Sequence, residues 1–137
     1  MSDQGAVQST KDLVQVGASP ASREVLERLQ EQGHIEDMID GYRLAIAVAI
    51  GFGREPRIGE KSDRKTMFAV GNLDPDSALR EAIKEIYSGH RAVPARAAED
   101  LAEQGLEIIN DSFQGEVFSF IDILDRVDKA NHSASSG

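Results

Sequence analysis

Cysteine is absent from the 137 residues, and so is tryptophan. Without a thiol there is no disulfide, no thiolate metal site and no cysteine nucleophile. No secretory signal is expected either. Residues 1–10 are polar and lack an apolar core, so the chain is expected in the cytoplasm. The sequon Asn131-His132-Ser133 is then idle. No apolar run is long enough for a membrane span, which needs roughly 20 residues, so no membrane partner is expected. Positive charge is also scarce: 15 Lys and Arg stand against 24 Asp and Glu, net −9. DNA binding draws most of its affinity from neutralised phosphates, so this balance argues against a nucleic-acid function.

What is present fits a mainly α-helical chain with one domain. Residues 1–11 read as a disordered tail, 12–130 as a single helical domain and 131–137 as a second disordered tail. Within the domain, residues 12–53 read as strand, helix, helix. Residues 12–17 (Asp-Leu-Val-Gln-Val-Gly) alternate, with Val14 and Val16 on one face and Leu13 and Gln15 on the other. Ser19 is a fitting N-cap and Pro20 a fitting first helical residue, since the first amides of a helix have no partner to lose. Val25, Leu26 and Leu29 form the apolar stripe of this helix, which runs to about Gln32. Gly33 suits the left-handed position that ends many helices.

A second helix is expected from Glu36 to about Phe52. Its run Leu44-Ala45-Ile46-Ala47-Val48-Ala49-Ile50 is apolar all round, the mark of a helix buried on most sides. A polar loop, 54–65, follows without periodicity and carries five basic and three acidic residues, net +2. Residues 66–130 then read as a short strand (66–70) and C-terminal helices. One helix opens at Asp74-Pro75. Another starts near Pro94, where Gly105 is expected to interrupt it at a cost of about 1 kcal/mol relative to alanine. A last amphipathic helix is expected over 116–129. Residues 66–137 carry 6 basic and 13 acidic side chains, net −7.

The strand-helix-helix start resembles the ribbon-helix-helix module, whose subunits pair strand to strand and pack their second helices across the dimer axis. That resemblance implies a dimer ribbon at Val14 and Val16 and an oligomer helix presenting Tyr42, Ile46, Ala49 and Ile50. The chain also resembles, in element order and hydrophobic pattern, the DndE-type accessory proteins of bacterial DNA phosphorothioation systems. The supporting segments are 14–53, Lys65-Thr66-Met67-Phe68-Ala69-Val70-Gly71 and Glu99-Asp100-Leu101-Ala102-Glu103-Gln104-Gly105-Leu106. This implies a small self-associating subunit of a DNA-linked system, such as phage defence. No DNA-binding residue carries over from that family.

Two functional classes follow. The first is a non-catalytic homo-oligomeric accessory or assembly subunit, with a larger protein partner whose basic face docks on a carboxylate ridge at Glu99, Glu103 and Glu107. The second is a ribbon-helix-helix DNA-binding regulator or antitoxin, with contacts from Lys11, Gln15, Arg54, Arg57, Lys61, Arg64 and Lys65. Gln15 is the base reader, since glutamine can pair with adenine. An enzyme is not expected. His34, His90 and His132 have no metal-ligand spacing, and Asp122, Asp125 and Asp128 read as a solvated helix face. No serine has a histidine placed to activate it, and no cofactor is implied.

Overall fold

The computed structural model describes residues 11–57 and 63–112. It is mostly helical, with a small two-stranded antiparallel sheet. Strand β1 (Gln15–Ala18) leads into α1 (Pro20–Glu31) and α2 (Met38–Gly51). Strand β2 (Lys65–Ala69) runs directly into a one-turn helix, α3 (Val70–Leu73). Then come α4 (Ala78–Ile86), a 3-10 turn (Ser88–His90) and α5 (Pro94–Asp111). The expected helix over 116–129 lies outside the described residues.

Local chemistry accounts for the helix starts. The Ser19 hydroxyl accepts the Ser22 amide at 3.2 Å, and Pro20 follows as the first helical residue of α1. Gly33 takes φ 80° just beyond its end, the left-handed turn a side chain resists. α5 has no cap of its own at Val93. Its first amides are instead taken by Asp12, which accepts Ala95 N and Arg96 N at 2.9 Å each, from more than eighty residues upstream. α4 begins four residues after Asp74, not at it. Asp74 still caps it, accepting Leu79 N and Arg80 N at 3.0 Å each.

α5 is the centre of the fold: α1, α2, α4 and β1 all pack on it. Its apolar side carries Ala97, Ala98, Leu101, Ala102, Leu106, Ile108 and Ile109, all buried. Gly105 does not break the helix, which runs unbroken through it. The glycine lets two backbones touch. A Cβ there would lie 2.8 Å from Ala45 Cα and nearer still to the Ala45 carbonyl. Ala45 and Ala49 are fully buried, and with Ile46 and Val48 they bury most of the apolar second helix against its own chain.

β1 pairs with β2: Gln15 opposite Ala69, Val16 opposite Phe68, Gly17 opposite Thr66 and Ala18 opposite Lys65. Met67 is skipped, which makes a bulge. Gly17 is required at this point, because a Cβ would come within 2.7 Å of the Lys65 carbonyl carbon. The strand thus finds its ladder inside one chain. The dimer ribbon implied by the ribbon-helix-helix resemblance is therefore not needed to pair β1.

Candidate functional site

The polar side of α5 builds a lock. Glu99 Oε2 accepts the Gly17 amide at 2.8 Å, and Glu103 Oε2 accepts the Ser19 amide at 2.7 Å. Glu103 Oε1 also accepts the Ser19 hydroxyl at 2.9 Å. Tyr42 of α2 donates its hydroxyl to the Gly17 carbonyl at 2.8 Å and meets the Phe68 ring edge-on. The edge of β1 away from β2 is therefore satisfied by side chains rather than by another strand.

The loop after α2 is held by the same face of α5. Arg64 donates to Glu99 Oε1 and to Asp100 Oδ1, both at 3.0 Å. The Arg57 amide donates to Asp100 Oδ2 at 2.7 Å, and Gln104 joins Asp100 (2.9 Å) to the Glu55 carbonyl (2.7 Å). Tyr87 donates its hydroxyl to the Arg54 carbonyl at 2.8 Å. Asp100 is 2% exposed. Burial alone would raise its carboxyl pKa, but the Arg57 amide, Gln104 and the two guanidiniums outweigh burial and hold it below the ordinary value. Burial, together with the nearby Glu99 and Glu103 carboxylates, pushes the Tyr42 phenol well above its ordinary value.

These contacts correct several expectations. Glu99 and Glu103 are not an open ridge: Glu103 is buried, Glu99 is paired inward, and only Glu107 is exposed. Their i, i+4 spacing puts them on one side of α5, but that side meets the end of β1 and Arg64. Arg64 is turned inward onto Asp100 and Glu99, and Arg57 pairs with Asp100 while staying 45% exposed; Lys11, Gln15, Arg54 and Lys65 are exposed as well. Lys61 lies outside the described residues. Lys11 and Lys65 fall at opposite ends of the ribbon, since Lys65 stands opposite Ala18.

Val14 and Val16 differ sharply in burial. Val16 is 1% exposed, while Val14, just before the strand proper, is 81% exposed. Tyr42, Ile46 and Ala49 are wholly buried within the chain and are unavailable to a second copy in this fold, and Ile50 is half-buried. Among the described residues no group of three acidic or histidine side chains is placed to hold a metal ion. No helix among them is long and apolar enough to cross a membrane.

Several organising residues were not legible as such. Asp12 and Arg43 look like ordinary surface charges. Yet Arg43 caps α3 by donating to the Leu73 carbonyl at 3.0 Å and the Asn72 carbonyl at 2.9 Å. Nothing local marks either role, because each partner is about thirty or more residues away. Searches of family models, curated proteins and solved structures give no match to this chain.

Proposed function

We propose that this chain is a small, non-catalytic accessory subunit that self-associates through its ribbon and serves a larger DNA-associated assembly, such as a phage-defence system. One observation carries the reading: Val14, 81% exposed, is the most exposed large apolar side chain among the described residues, and it sits beside a two-stranded ribbon. β2 has β1 on one side and no further strand on the other among the described residues. An open strand edge is a template for pairing with another chain. The strand-helix-helix order adds support through its resemblance to self-pairing modules. The net charge of −9 favours a partner with a basic face.

The regulator reading keeps one specific support, the exposed Gln15 on the ribbon. DNA titration separates the two. An assembly subunit binds random duplex weakly, and less as salt rises. Nanomolar binding to one sequence at physiological salt, lost in Gln15→Ala and Lys11→Ala, would establish the regulator instead.

A further inference from the structure

A cleft of about 220 Å³ opens between α4 and the start of α5. Ser77, Arg80, Lys84 and Arg91 line it with hydrogen-bond donors. Ser77 is the only non-glycine residue with a left-handed backbone among those described, at φ 64° and ψ 8°. Such a conformation is unfavourable for a serine and persists only where its surroundings impose it.

Arg80 is held in place beside it. Its Nε donates to Asp74 Oδ2 at 2.8 Å, and one terminal nitrogen donates to the Asp74 carbonyl at 2.9 Å and to Ser77 Oγ at 3.0 Å. Because Ser77 Oγ accepts from Arg80, its own hydrogen is left to donate. Arg91 is exposed and has no carboxylate partner among the described residues.

Two carboxylates also line the cleft, and both are engaged. Asp12 accepts the Ala95 and Arg96 amides at the start of α5. Glu81 pairs with Lys84 at 3.2 Å. Asp74 balances Arg80 in turn. The three cations Arg80, Lys84 and Arg91 are thus matched in number by Asp74, Glu81 and Asp12, but Asp12 spends its oxygens on backbone amides, so the Arg91 guanidinium keeps its donors without a paired carboxylate.

We infer that this cleft binds a phosphate group, either free phosphate or a small phosphomonoester. A fixed guanidinium, a second guanidinium, an ammonium and a hydroxyl match the acceptor oxygens of that anion. The inference does not depend on self-association or on a DNA-linked role.

The test is a titration of the full chain with inorganic phosphate and with glycerol phosphate, at ionic strength held constant with sodium chloride. Amide shifts are read by nuclear magnetic resonance. Saturable shifts at Ser77 and Arg91 are expected. Arg91→Glu and Lys84→Gln should each weaken binding about tenfold or more, without changing the melting temperature measured without phosphate. Arg91→Lys should retain most of the affinity. Tighter binding of the ester identifies an esterified ligand, and equal binding identifies free phosphate. Shifts that follow ionic strength alone, or an unchanged affinity in Arg91→Glu, would overturn the assignment.

Discussion

Gly105→Ala gives opposite answers depending on what that glycine is for. If it merely weakens a helix, alanine should stabilise the chain by about 1 kcal/mol. In the structure it is the crossing point of α5 over α2. The added methyl would meet Ala45 Cα at 2.8 Å and the Ala45 carbonyl closer still, where ordinary contact begins near 3.4 Å. These are backbone atoms, so no rotamer change relieves the clash and α2 must move away from α5. Overpacking costs about 1–3 kcal/mol, and a backbone collision belongs at the upper end. After the propensity gain, the net loss is about 2 kcal/mol, or roughly 8 °C in melting temperature for a chain of this size. Thermal melts followed by circular dichroism decide it. Gly71→Ala is the control, because a Cβ there meets nothing within 4 Å and its backbone is not left-handed. An unchanged or higher melting temperature for Gly105→Ala would mean that the two helices do not cross there.

Three further outcomes follow from the polar lock and the caps. Arg64→Ala leaves Asp100 and Glu99 without their shared guanidinium, and urea unfolding should show a loss on the order of 3 kcal/mol. Asp12→Ala removes the acceptor for two amides of α5 and should cost about 1–2 kcal/mol by the same measurement. In acid, Asp74 and Asp100 both have folded pKa values below the ordinary carboxylate. For each, burial pushes upward and hydrogen bonds from neighbouring amides and arginines outweigh it. Their stabilisation is complete above the unfolded value of about 3.9 and is lost as pH falls through the lower folded values. Melting temperature should therefore drop below about pH 4, and Asp74→Asn should flatten that drop while lowering stability at neutral pH.

The parts of the fold with local signals were legible in the sequence. Ser19-Pro20 starts α1, Gly33 follows its end, and the apolar run from Leu44 to Ile50 lies within α2. The tertiary arrangement had no such signals. Pairing of β1 with β2 joins residues some fifty positions apart, and either strand alone is too short to name its partner. Glu99, Asp100 and Glu103 look like a solvated face because their acceptor capacity is met by amides and guanidiniums far away in sequence. The helix start at Asp74-Pro75 falls one turn too early, since the left-handed Ser77 precedes a helix that begins only at Ala78. α3 has no signal in Val70-Gly71-Asn72-Leu73; it is fixed from outside by Arg43.

Self-association through the ribbon is tested most directly by sedimentation velocity on the full chain at micromolar concentration, comparing the parent with Val14→Lys. Val14 is 81% exposed, so lysine there should leave the melting temperature of the single chain unchanged. A charge inside a paired apolar contact is costly, however. The predicted result is a dimer or dimer-based oligomer for the parent, and a folded monomer of 14.9 kDa mass class for the variant. A parent that sediments as a folded monomer, or a variant with the parent's mass, would contradict it.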